Sequence, residues 1–211
     1  MSWFRRDGMR ARKGRRWGPR GLLFVLLFAV LVVAPIWFAV PRLPLVRRAL
    51  RRMRADPERY NSLIGECARR HGVAPSLVKA VIWKESRFLA KTVGGKGEAG
   101  LMQLMEGAVT DWAEAHGRPL PARALWFDPR LNVEIGTWYL ARAMNRWREY
   151  ESMEVLALSQ YNAGQTRAVR WAPGNPADEL PLEGVMIGST RAYIREIMTR
   201  TRHYEQNEAR E

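Results

Sequence analysis

Only one cysteine, Cys67, occurs among the 211 residues. That excludes an intramolecular disulfide framework, a cysteine-rich zinc site and a CxxC redox pair. Histidine is nearly as scarce. His71, His116 and His203 lie far apart, and none belongs to an HExxH-type cluster, so no metal site is expected. Also missing are alternations of apolar and polar residues longer than a few positions, so nothing announces a sheet. Acidic residues are almost absent from one whole region. Residues 1–54 hold 14 of the 35 Lys/Arg but only Asp7 of the 21 acids, a net +13; residues 55–211 hold the remaining 21 and 20, a net +1. The total of +14 is thus an N-terminal property. The nearly neutral remainder lacks the electrostatic footprint of a nucleic-acid binder.

The basic N-terminus has a simple plan. Arg5, Arg6, Arg10, Arg12, Lys13, Arg15, Arg16 and Arg20 precede the stretch from Leu22 to Val40, which carries no charge. At about 1.5 Å per residue such a run is long enough to cross a bilayer as a helix. The basic cluster before it predicts a cytoplasmic N-terminus, with the rest of the chain beyond the inner membrane. A cleaved signal peptide is the competing reading, because Val32-Val33-Ala34 offers small residues. Against cleavage, Pro35 follows directly and the apolar stretch continues through Ile36, Trp37 and Phe38. The expected organisation is a basic tail (1–20), a single transmembrane anchor (21–40), a basic linker (41–55), a globular domain (56–204) and a polar tail (205–211).

From Pro57 onward the spacing is helical. Asp56-Pro57 predicts a helix start, with Leu63, Ile64, Cys67 and Ala68 as its apolar stripe and Gly72 as its stop. Cys67 then reads as a small core residue. Pro75 opens a second helix through Leu77, Val78, Val81 and Ile82 to Glu85 and Phe88. A third is expected to carry Leu101, Leu104, Met105 and Trp112. Asp128-Pro129 opens a fourth with Leu131, Ile135, Trp138, Tyr139 and Trp147. A shorter one is expected near Val155 to Gln160, then a Pro/Gly-rich loop from Ala172 to Gly188. Thr190 is expected to cap a last helix with Tyr193, Ile194, Ile197 and Met198 on its apolar face. The domain reads as all-α.

One residue breaks the pattern of the second helix. Val78, Val81, Ile82 and Glu85 are spaced i, i+3, i+4, i+7 and share a face. A carboxylate thus stands where periodicity puts the core. Burial disfavours the charged form, so a carboxyl there keeps its proton near neutral pH, as a glycosidase requires of its general acid. The alternative is that Glu85 ends the helix and turns outward to water or to Arg87. Periodicity alone does not separate the two.

Residues 60–200 carry an ordered set of motifs. Val73-Ala74-Pro75-Ser76-Leu77-Val78-Lys79-Ala80-Val81-Ile82 leads into Glu85-Ser86-Arg87-Phe88. Gly97-Glu98-Ala99-Gly100-Leu101-Met102-Gln103-Leu104-Met105 comes next. Asn132-Val133-Glu134-Ile135-Gly136, Tyr139-Leu140, Tyr161-Asn162-Ala163-Gly164 and Thr190-Arg191-Ala192-Tyr193-Ile194 follow. In this order they resemble the catalytic domain of the soluble lytic transglycosylase family, whose fold is lysozyme-like and related to goose-type lysozyme. The resemblance implies Glu85 as the single catalytic acid/base and peptidoglycan strands as substrate. It places Met102, Gln103, Tyr161, Asn162 and Tyr193 around the sugar-binding cleft, with Ser86 supporting the glutamate. It also implies no metal and no organic cofactor. Tyr193 has a plain reading besides, as a core residue with a satisfied hydroxyl.

The reaction implied needs only one carboxyl. Glu85 protonates the oxygen between N-acetylmuramic acid and N-acetylglucosamine, then deprotonates the muramoyl C6 hydroxyl, which closes a 1,6-anhydro ring. A tethered nucleophile carries a large proximity advantage. A muramidase that uses water instead would need a second carboxylate, for which Glu98, Glu106 and Asp111 are the candidates. A non-catalytic wall-binding scaffold is the remaining alternative. Glu98, Glu106-Gly107-Ala108 and Gln160 depart from the family's usual residues. The literal GxGxxG from Gly95 to Gly100 follows no strand and is rejected as a dinucleotide site. Trp126 and Trp171, near loops, are the tryptophans expected to stack on sugar rings.

Overall fold

The structure, a computed structural model, describes residues 56–209. The proposed anchor at 21–40 and the linker lie outside the described residues. Within them, no helix is long and apolar enough to cross a membrane.

Among the described residues seven α-helices build the domain: α1 (Asn61–His71), α2 (Pro75–Ser86), α3 (Glu106–Ala115), α4 (Pro129–Arg146), α5 (Met153–Ala163), α6 (Gln165–Trp171) and α7 (Gly188–Glu208). Among the described residues there is no strand, only two isolated antiparallel bridges, Val93 with Ala99 and Ala99 with Leu104. The all-α expectation holds for this region.

Several helix signals act as read. Gly72 closes α1 in the left-handed conformation (φ 67°). Pro75 stands in the first turn of α2. The Asp128 carboxylate caps α4 by accepting the Leu131 N–H at 3.0 Å. Other expectations need correction. A short 3-10 turn, Glu58–Tyr60, precedes α1. Leu101 and Leu104 lie in the bridged loop, and α3 begins only at Glu106. Residues at i and i+3 are apolar in both cases, because the loop folds back on the core as a helix face would. Helix α6 was not expected, and α7 begins at Gly188 with Thr190 already inside its first turn. The same helix runs into the segment expected as a polar tail.

Helix α2 is the central element. Val78, Ala80, Val81 and Ile82 have no exposed surface, and α7 packs along it with Tyr193, Ile194 and Ile197. Each buried Val or Ile among these contributes roughly 1.5–3 kcal/mol. Helix α4 lies against α1, α3 and α5. It gives Val133 and Leu140 to the main core and Ile135 to a smaller one with Leu104, Val109, Trp112 and Trp126.

Asn132 of α4 ties the 99–102 loop down. Fully buried, it donates to the Ala99 and Trp126 carbonyls (2.9 and 2.6 Å) and accepts the Met102 N–H at 2.7 Å. Gly100 sits against it with φ 80°, and a Cβ there would fall on the Asn132 amide and the Trp126 carbonyl. Only glycine fits both the conformation and the space.

Candidate active site

Glu85 occupies the last turn of α2. The two residues after Ser86 leave the helix through left-handed conformations, Arg87 at φ 52° and Phe88 at φ 63°. Both lack the freedom of glycine, and burial of the Phe88 ring in the main core holds the turn. Gln103 (φ 50°) is the third non-glycine residue of this kind among the described residues. All three belong to segments that border Glu85 or the cleft. Strained backbone of this sort tends to gather at functional sites.

The Glu85 carboxyl is pushed from 4.5 up to about 7, first by burial. The hydroxyl of Tyr193 donates to Oε1 at 2.6 Å and works the other way, favouring the anion. The charge of Glu98 raises the pKa again, and Lys84 lowers it. The negative end of the α2 dipole acts in the same sense as burial. The outward-turned alternative is thereby set aside, since its acid is withdrawn from water as the periodicity of α2 suggested.

Tyr193 itself is buried, and the Tyr161 ring is half-buried. Burial raises both phenols well above their ordinary value, and the charge of Glu85 adds to it. Both remain protonated donors. The Tyr161 hydroxyl donates to the Met102 carbonyl at 2.9 Å, and its ring meets Tyr139 edge-on at 5.8 Å. Helix α5 therefore presents Tyr161 and Asn162 beside the loop that carries Gln103. Gln103, Tyr161, Asn162, Tyr139 and Gln160 line one open groove of about 460 Å³. The Gln103 amide is held by its own loop, donating to Thr92 and Gly100 carbonyls. Asn162 Oδ1 accepts from Thr190 at 2.8 Å, which binds α5 to the start of α7.

Two of the expected contacts, Met102 and Trp126, fall elsewhere. Met102 has no exposed surface. Its side chain packs against Gly136 and Thr137 of α4, and it serves the cleft through its carbonyl alone. Ser86 is buried, and its hydroxyl donates to the Ile82 carbonyl at 3.1 Å, securing the last turn of α2, which carries Glu85. Trp126 is a core residue, its indole N–H satisfied by the Pro121 carbonyl, so it offers no ring to a sugar. Trp171 is half-buried against the main core. Cys67 is buried as expected, and burial pushes its thiol up to about 12, which removes the thiolate.

Two structural roles escaped the sequence reading. Asn132 ties down the 99–102 loop, a task its motif does not announce. Gln160, a departure from the usual alanine, accepts the Trp147 indole N–H at 2.9 Å, which accounts for a buried amide at that position. Among the described residues no group of His, Cys, Asp and Glu is placed to hold a metal ion.

With a half-buried, hydrogen-bonded acid whose charge reaches Tyr161 of the open groove, the domain belongs to the class of all-helical, lysozyme-like domains. More narrowly, residues 62–179 match the family model described as the transglycosylase SLT domain, and the chain belongs to that family. It is 30% identical over 118 residues to proteins named membrane-bound lytic murein transglycosylase C from Yersinia enterocolitica and Serratia proteamaculans. That match covers 53% of this chain and 33% of each relative, so the chain spans about a third of their length. Among solved structures it is similar to the 70 kDa soluble lytic transglycosylase of Escherichia coli (TM-score 0.63, 26% identity, 70% of this chain and 24% of that one). An inactive mutant of lytic transglycosylase Slt from Pseudomonas aeruginosa shares the fold (TM-score 0.62, 23% identity, 88% of this chain and 29% of that one).

Proposed function

We propose that this chain is a peptidoglycan lytic transglycosylase. It cleaves the β-1,4 bond between N-acetylmuramic acid and N-acetylglucosamine and leaves 1,6-anhydro ends, with Glu85 as its single acid and base. The observation that carries this reading is the Glu85 carboxyl, partly withdrawn from water, raised to about 7 and held at Oε1 by Tyr193. With Oε1 accepting from the phenol, Oε2 is left to carry the proton that goes to the glycosidic oxygen. A pKa near the working pH suits a group that must first give a proton and then take one from the C6 hydroxyl. With their other atoms engaged within the protein, Gln103 offers its Oε1, Tyr161 its hydroxyl lone pair and Asn162 its Nδ2 to sugar hydroxyls and acetamides, and Tyr193 positions the acid. The relatives named as membrane-bound murein transglycosylases support the substrate and a membrane location. The apolar run at 21–40 supplies the anchor, with the domain on the periplasmic side of the inner membrane.

One observation favours hydrolysis as a second reading. Glu98 lies close enough for its charge to act on Glu85, and two carboxylates at one bond are the usual equipment of a water-using glycosidase. Mass spectrometry of the products from purified peptidoglycan separates the two. Ends of 1,6-anhydro-N-acetylmuramic acid support the transglycosylase; reducing, water-added ends support the muramidase.

A further inference from the structure

Aromatic rings and cations alternate along the seam between α2 and α7. The Lys79 ammonium lies 5.0 Å from the Tyr204 ring centroid, and the guanidinium carbon of Arg200 lies 6.0 Å from the same ring. Arg200 also lies 3.7 Å from the Trp83 centroid, and Arg87 lies 3.4 Å from it. Two groups so close to one centroid occupy opposite faces, since on one face they would overlap. The column thus runs Lys79, Tyr204, Arg200, Trp83, Arg87, and the negative faces of the rings hold the cations in place.

Stacking uses the flat face of a guanidinium and leaves its in-plane N–H fork open, a fork that fits phosphate oxygens two at a time. Among the described residues no carboxylate forms an ion pair with Arg87, Arg195 or Arg200. The acids along the seam are engaged elsewhere: Glu58 with Lys79 at 3.2 Å, Glu196 with Lys84 at 2.8 Å, and Glu205 with the Ser76 hydroxyl at 3.2 Å. Arg87 and Arg195 are exposed and Arg200 is half-exposed, so their charge is turned to solvent. Trp and Tyr, apolar rings with one polar edge, are also the aromatics that favour the polar boundary of a bilayer.

The place where the chain enters the domain indicates which anions lie opposite. The described residues begin at Asp56, and Glu58 is already paired with Lys79, the first member of the column. The linker expected at 41–55 therefore joins the domain at one end of this seam. Its 15 residues reach at most about 50 Å, and six of them are arginines. An anchored domain thus stays within reach of the bilayer, where even a weak attraction acts intramolecularly. We propose that the α2–α7 seam docks on the anionic phospholipid surface beside the anchor, with Arg87, Arg195 and Arg200 receiving headgroup phosphates. The proposal rests on the membrane anchor proposed for residues 21–40.

The full chain in vesicles tests it. Cys67 is buried with its thiol pushed up to about 12, so a thiol-reactive fluorophore labels Thr199→Cys at the exposed position 199. The labelled chain is reconstituted into vesicles of phosphatidylcholine, or of phosphatidylcholine with phosphatidylglycerol, each carrying a headgroup-linked quencher. Strong quenching on the anionic vesicles and weak quenching on the neutral ones is expected. The difference should vanish in 1 M salt, where the Debye length is about 3 Å. Arg195→Gln, which leaves the stack on Trp83 untouched, should lower the docked-to-free ratio about fivefold, the worth of one basic residue near an anionic surface. Arg195→Gln/Arg200→Gln should lower it about twentyfold or more. Equal quenching on both vesicles, or none on either, overturns the proposal. Quenching abolished by inorganic phosphate at matched ionic strength also overturns it, since the seam would then be a small-anion site. Flotation of the unlabelled chain with neutral vesicles reads the anchor separately. A chain that fails to float refutes the anchor and the docking together, whereas one that floats without quenching refutes the docking alone.

Discussion

Two glutamates on different helices stand partly withdrawn from water and meet opposite fates. Glu134 of α4 faces α1, where Arg70 and His71 both bind its oxygens and the Cys67 thiol approaches at 3.5 Å. Its charge is matched by the Arg70 guanidinium, and the seam between α1 and α4 is the gain. Glu85 of α2 faces α7, where its hydrogen-bond partner is a neutral phenol. No cation is bonded to it, and burial is left to raise its pKa to about 7. Burial of a carboxyl is thus no sign of catalysis by itself. The partner decides whether it becomes a strut or a proton donor.

The sharpest way to break that contrast is to remove each carboxylate. Glu85→Gln is expected to cut the rate of peptidoglycan cleavage by about 10³-fold or more, at the upper end of general acid–base effects, with circular dichroism unchanged. Asn132→Ala leaves the Met102 N–H and the Ala99 and Trp126 carbonyls without their partner. It should cost about 3 kcal/mol in urea unfolding and loosen the loop that presents Gln103.

The raised pKa has its own consequence for stability. Below 4.5 the Glu85 carboxyl is protonated in both folded and unfolded chains. Between 4.5 and about 7 the unfolded chain loses the proton first, so this group subtracts stability as the pH rises. Above that window the penalty is complete, at about 3 kcal/mol. Glu85→Gln should therefore gain on the parent by up to that amount between pH 4 and pH 8, measured by urea unfolding.

Smaller effects sharpen the comparison. Tyr193→Phe removes a bond that favours the anion, so the pKa of Glu85 rises. The alkaline fall in kcat/KM should move to higher pH, while the maximum drops about tenfold from lost positioning. Glu134→Gln is expected to cost only about 1 kcal/mol of stability and to leave cleavage unchanged, since its main ion-pair partner Arg70 is half exposed.

Much of this arrangement was legible from spacing. Periodicity put Glu85 on the buried face of α2 because Val78, Val81 and Ile82 share that face and all three are fully buried. Asp128, Pro75 and Gly72 marked helix ends through local chemistry that needs no tertiary context. What was hidden depends on which side of a residue is used. Met102 and Ser86 stand in the right motifs, but a carbonyl and a helix-securing hydroxyl do their work. Leu101 and Leu104 carry helical spacing in a loop, because a bridged turn folded onto a core buries apolar residues at similar intervals. Trp126 lies near loops in sequence yet closes the smaller core, a long-range packing result that local signals do not carry.

The most direct test of the central claim is a carbon NMR titration of the Glu85 side-chain carboxyl in the full chain, assigned by its disappearance in Glu85→Gln. An inflection near 7 is the predicted result. An inflection near 4.5 would show a carboxylate already ionised at neutral pH, and Glu85 would then be no proton donor at all.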